Sequence, residues 1–245
     1  MTFASTPSPL LESLSLRRSR GAGGGAQPVC RTDAPAVARS SSVVATRPRV
    51  LDAALADHVN VACWLRDLPA PIASAAAALA ASGVEEIDVT EHVERLPLDR
   101  VARFFDSAAG EWVRRDIERL VAVTAQVGAA RALRLTFGSV AHDKCRKFHC
   151  DMLRYRLVTT YAGPGTEWVA DEDIDRDALA KLIPCADTSN RLVVRHPRCV
   201  NRARAGDVIL MKGARRPGGA GAVHRSPPIE ATGERRLFLA ISTVD

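Results

Sequence analysis

Aromatic side chains are scarce in this chain, at 4% of 245 residues against a hydrophobic share of 47%. Alanine supplies much of that apolar count, so the core must be built from small aliphatic residues. No stretch of about 18 apolar residues occurs, which argues against a membrane span. The most alanine-rich run, 72–82, is too short to cross a bilayer and reads as a helix. The six cysteines (30, 63, 145, 150, 185, 199) lack framework spacing, and a chain of this length does not need disulfide staples. A secretory apolar segment is missing as well, because residues 10–16 are interrupted by Glu12, Ser13 and Ser15. The expected location is the cytoplasm.

Net charge is also missing where it would count. Residues 1–49 carry seven arginines against Glu12 and Asp33, a net of +5 out of +6 for the whole chain. The remaining 196 residues are nearly neutral and give no electrostatic footprint for nucleic acid. The expected partner is a small-molecule substrate, with neither nucleic acid nor membrane involved. The basic stretch is rich in Ser, Gly, Pro and Ala, with Gly-Ala-Gly-Gly-Gly at 21–25, and is expected to be a disordered tail. Its Ser- and Arg-rich, acid-poor composition also resembles a transit peptide.

From about 50 to 128 the pattern is helical. A short apolar run at 59–65 reads as a strand, 72–81 as a helix stopped by Gly83, and Pro97 as the first residue of a helix to about 107. Residues 111–127 form the clearest helix, with Val113, Ile117, Leu120, Thr124 and Val127 on one face. The period then shortens. Strands are expected at 132–137, 153–161, 191–195, 207–211 and 235–243, each bounded by Gly or Pro. Helices followed by strands predict an α+β chain: one domain, 50–245, in which a helical layer (50–128) packs on an antiparallel barrel or sandwich (129–245).

The chemistry concentrates in Phe148-His149-Cys150-Asp151. Residues two apart in extended chain share a face, so His149 and Asp151 present an imidazole and a carboxylate side by side. These are two of the three ligands of the 2-His-1-carboxylate triad that holds non-haem Fe(II). His224, 75 residues after His149, supplies the third. Arg235 opens the last strand and shares its face with Leu237, Leu239 and Ile241, the more apolar set. It is expected to point inward and pair with the carboxylate of an oxo-acid, with Arg236 in reserve. Tyr161, at the end of an earlier strand, joins them as a candidate for binding the co-substrate. Gly163-Pro164-Gly165-Thr166-Glu167-Trp168 lacks the Gly-Lys-Ser/Thr ending of a phosphate loop and reads as a turn before a buried tryptophan. A rival site is structural Zn(II) at His142, Cys145, His149 and Cys150, which lie within nine residues. The basic residues Lys144, Arg146, Lys147, Arg154 and Arg156 read as a solvated face.

The order and spacing of His149-x-Asp151, His224 and Arg235 resemble the Fe(II)/2-oxoglutarate-dependent dioxygenases. That resemblance implies a C-terminal double-stranded β-helix, a jelly-roll or cupin-like barrel, under an N-terminal helical layer. It implies Fe(II) and 2-oxoglutarate as cofactors, with His149, Asp151 and His224 on the metal. The alternative it leaves is a non-catalytic cupin-like Zn(II) protein or scaffold. The segments CRKFHCD (145–151), TYAGPGTEWV (160–169), GDVILMKG (206–213) and HRSPP (224–228) are similar to the bacterial domain-of-unknown-function 1826 family over about 55–243. That family implies no established activity.

Overall fold

The computed structural model describes residues 40–244. It opens with strand β1 (Ser42–Ala45), a 3-10 turn at Pro48–Leu55 and strand β2 (Val61–Trp64). Residues 1–39 of the expected tail lie outside the described residues. Residues 40–49 of that expected tail are described, and they hold a strand, because Ser42–Ala45 pairs in parallel with Val61–Trp64. Ser41 and Ser42 are tied by side-chain hydrogen bonds to Asp171, Glu172 and Trp168.

Helix α1 (Ala70–Ser82) follows a proline and ends at Gly83, whose N–H still bonds the Leu79 carbonyl and whose φ of 82°, cheap only for glycine, turns the chain out of the helix. Strand β3 (Ile87–His92) comes next, then a five-residue helix α2 (Leu98–Ala102). The helix expected to run from Pro97 to about 107 stops early because Asp106 starts another: its carboxylate accepts from the Ala109 amide at 2.8 Å and caps α3 (Ser107–Gly128). Such a cap contributes about 1 kcal/mol. Strands β4 (Ala132–Val140), β5 (Tyr155–Ala162) and β6 (Glu167–Val169) follow. Helices α4 (Arg176–Ala180) and α5 (Ala186–Val193) then precede β7 (Asn201–Arg202), β8 (Val208–Lys212), β9 (Val223–Arg225) and β10 (Arg236–Thr243). Of the strand expected at 191–195, residues 191–193 are instead the end of α5, which buries Ser189 and Val193, four residues apart on one helical face, and only Val194 pairs, in an isolated bridge with Ile174.

The strands form two sheets. The larger runs β1-β2-β8-β5-β10-β4-β3, antiparallel except for the β1/β2 pair, and the smaller runs β7-β6-β9. The fold is therefore α+β with a large, mainly antiparallel sheet. The closed barrel expected from the sequence is not formed: among the described residues β1 and β3 remain free edges of the larger sheet. Segment 50–128 supplies β2 and β3 to that sheet as well as helices.

Strand periodicity divides the larger sheet by chemistry. Leu133, Leu135 and Phe137 of β4 and Leu237, Leu239 and Ile241 of β10 face α1 and α3, where they pack with Ile72, Ala76, Val113, Ile117 and Leu120. Each such aliphatic side chain, fully buried, contributes roughly 1.5–3 kcal/mol. Into this apolar layer Arg66 brings a guanidinium bound to both oxygens of Asp116, of which Oδ2 also accepts from the Tyr161 hydroxyl at 2.8 Å. The opposite face, with Arg134, Thr136, Arg156, Val158, Arg236, Phe238 and Ser242, looks into a cavity of about 440 Å³ also lined by His224 and Arg225 of β9. No helix is long and apolar enough to cross a membrane among the described residues.

Candidate metal centre

The two histidines are cross-strand partners. His149 and His224 exchange both backbone N–H···O hydrogen bonds, each at 3.0 Å, in an isolated antiparallel bridge that extends the smaller sheet beyond β9. Partners in such a pair project from one face, and the ring centroids lie 4.6 Å apart. Asp151, two residues past His149, falls on that face too. His149 Nε2 stands 3.6 Å from Asp151 Oδ1, and His224 Nε2 stands 3.3 Å from Asp151 Oδ2. The three side chains offer donor atoms all within 4.8 Å of one another. The sequence had placed these three residues together, and the structure does bring them together.

The hydrogen bonds fix which nitrogens are available. His149 Nδ1 lies 2.9 Å from the Lys147 carbonyl oxygen, and His224 Nδ1 lies 3.1 Å from that of Ala222. A carbonyl oxygen only accepts, so each Nδ1 carries the proton and donates it. Whenever a ring carries no second proton, its Nε2 lone pair faces the carboxylate. Asp151 Oδ2 is buried and has no hydrogen-bond partner. Burial would push the Asp151 carboxyl up, but His149, His224 and Arg156 outweigh it and hold the group well below the usual carboxylate range. Burial works against the His149 imidazolium, while Asp151 raises the ring above its ordinary value. An ionised carboxylate facing two lone pairs is satisfied by extra protons on the rings or by a cation between them. The donor set, two imidazoles and one carboxylate, suits a first-row transition metal, and pinning Nδ1 to a carbonyl is how metal-binding histidines are oriented.

The supporting contacts come from several elements. Asn190 of α5 accepts from the Phe148 amide at 2.9 Å and donates to the Arg146 carbonyl at 2.9 Å, holding the chain just before His149. Glu167, fully buried, binds Arg225 at 2.7 Å and Arg202, and Arg225 stacks over Phe148 at 4.6 Å. Trp168 is buried beside it and donates to Ser42.

The arginine assignment reverses. Arg235 is exposed, while Arg236 is 4% exposed and lines the cavity. The more apolar face of β10 belongs to the helices, so the site lies on the face that reads as less hydrophobic. Arg236 donates to Thr160 Oγ1 at 3.2 Å, its Nε is unpartnered, and no carboxylate pairs with it among the described residues. Burial pushes its guanidinium down to about 10. Tyr161 does not reach the cavity. Strand alternation puts it with Tyr155 and Leu157 on the helix-facing side of β5, where its hydroxyl bonds Asp116. Cys150 points at Arg176 and the Ala220 carbonyl, with its thiol pushed up by burial. His142 and Cys145 line the cavity without joining the donor cluster. Arg156, read from sequence as a solvated residue, binds Asp151 at 3.1 Å. Its position two residues before Val158 and four before Thr160, on the cavity face of β5, was the available signal.

The model of the family described as protein of unknown function, DUF1826, matches residues 45–242. The chain belongs to the DUF1826 family. No curated protein matches it. Among solved structures, a Pseudomonas putida prolyl-4-hydroxylase shares 13% identity with this DUF1826 chain at a TM-score of 0.38, covering 79% of this chain and 96% of that one. The Fe(II)/(alpha)ketoglutarate-dependent dioxygenase TqaL shares 12% at 0.39, covering 71% and 74%. Likenesses this loose carry no functional weight, and the reading below rests on the site.

Proposed function

We propose that this DUF1826 chain is a non-haem Fe(II)-dependent oxygenase that uses 2-oxoglutarate to oxidise a small-molecule substrate. The observation that carries the reading is the two Nε2 atoms and the orphaned Asp151 Oδ2 gathered within 4.8 Å of one another, with both Nδ1 atoms already engaged by carbonyl oxygens. When bound, iron would supply oxidative chemistry that no side chain can. The protein's own part is to hold that ion with His149, Asp151 and His224 and to orient what reacts. Arg236 would take the distal carboxylate of the co-substrate: its buried guanidinium has no anion of its own, and a charge-assisted pair offsets its desolvation. Phe238, Ala240 and Val158 line the same cavity and give it an apolar surface.

Strand order supports the finer reading of the fold. From β4 onward, successive strands alternate between sheets: β4, the His149 bridge, β5, β6 with β7, β8, β9 and β10. That alternation is the path of a jelly roll, of which the double-stranded β-helix is one form. A non-catalytic Zn(II) protein would use the same three ligands, but it gives the unpaired Arg236 nothing to do.

Anaerobic Fe(II) with 2-oxoglutarate is expected to give a weak visible charge-transfer band, lost in His224→Ala. Arg236→Gln removes a charge-assisted bond of about 1.5–3 kcal/mol and should raise the 2-oxoglutarate concentration needed roughly 10- to 100-fold. Arg235→Gln should leave it unchanged. Folded, metal-loaded protein that shows no band would remove the reading and leave the zinc alternative.

A further inference from the structure

Arg156 belongs to the larger sheet, whereas the two histidines are set by the smaller one. Its guanidinium is held at two points. Nε donates to Ser242 Oγ of β10 at 3.0 Å, and Nη1 donates to Asp151 Oδ1 at 3.1 Å. Arg156 and Ser242 are register partners across β5 and β10, so the sheet itself aims the guanidinium. The two oxygens of Asp151 are thereby made unequal: Oδ1 is occupied by Arg156, while Oδ2 is buried beside His224 Nε2 with no hydrogen bond.

We infer that Arg156 is a positioning residue that restricts Asp151 to one-oxygen ligation and so keeps a coordination position free for the co-substrate. The inference rests on the metal reading above and adds how that centre is kept open. A carboxylate with both oxygens free can close on a cation as a chelate. A planar guanidinium fixed along one oxygen blocks that rotation, and lysine, a point charge on a flexible stem, does not reproduce the two-point hold. Arg156 lines the cavity, so its positive charge also adds to the attraction for an anionic co-substrate. The test must separate the two effects.

Co(II) is the probe, because its visible absorption reports coordination without turnover. In Co(II)-loaded protein, Arg156→Met should alter the visible spectrum and weaken 2-oxoglutarate binding, measured by calorimetry, roughly 10- to 100-fold, the usual range for losing an outer-shell partner. Arg156→Lys keeps the charge and should still show the altered spectrum, with a smaller loss of affinity. Ser242→Ala removes only the Nε tether and should move both readouts in the same direction; it decides the matter if Arg156→Met does not fold. Wild-type spectrum and affinity in Arg156→Lys and Ser242→Ala would overturn the inference while leaving the metal centre intact. Wild-type protein that takes up no Co(II) would overturn the metal reading and this inference with it.

Discussion

At the scale of single residues, the centre depends on where protons sit. In the metal-free protein Asp151 raises the His149 imidazole above its ordinary 6.5. A group whose folded value is raised contributes stability that is fully present below its unfolded value and is lost as pH rises through the folded one. Metal uptake runs the other way, since the ion must displace that proton. The expected result is a metal-induced rise in Tm that grows with pH through and above about 6.5 and then levels off, followed by thermal melts with and without Co(II). A metal-induced shift that is flat across this range would count against His149 as a ligand. The three donor residues were readable in the sequence because residue type and a spacing of two carry the chemistry. The arginine was not. Choosing between neighbours required knowing which face of β10 meets the helices, and both faces of that strand are largely buried. Hydrophobicity therefore pointed Arg235 the wrong way.

Among the elements, long periodic ones were legible and short ones were not. The buried face of α3 matches Val113, Ile117, Leu120, Thr124 and Val127 as read from spacing. Strands β6, β7 and β9 span only three, two and three residues, too few for any period to show. The RLVVR stretch misled because its adjacent valines favour a strand locally, while the eight-residue α5 is stabilised by packing that the sequence does not display. One short connection has a clear energetic signature. A Cβ on Gly213, just after β8, would sit 1.9 Å from the Leu153 carbonyl oxygen and 2.9 Å from that of Asp151. Gly213→Ala must push 151–154 aside, with an expected cost of about 1–3 kcal/mol in urea unfolding. Because Asp151 lies in the displaced segment, metal affinity should fall more steeply than stability does.

For the whole molecule, α+β composition followed from the order of helical and alternating patterns, but an open seven-stranded sheet did not. β1 was hidden in a stretch whose charge and serine content read as tail, and β3 was hidden among helices. What joins the helical layer to the sheet is in part polar. Asp116, 2% exposed at its side chain, holds both Arg66 and Tyr161. Asp116→Ala leaves a buried guanidinium unpaired, with an expected cost of about 3–5 kcal/mol. For a domain of this size that corresponds to a fall in Tm of roughly 10 °C. The variant should still bind Co(II) at low temperature, because Asp116 lies on the helix side of the sheet, away from the cavity.

The His149–His224 bridge has a consequence for how the centre comes into being. A slip of one residue between those two segments would send one imidazole to the far side of the sheet. Competence to take up an ion is therefore all-or-none with strand alignment, and a chelatable metal would report that the chain has paired in its native frame.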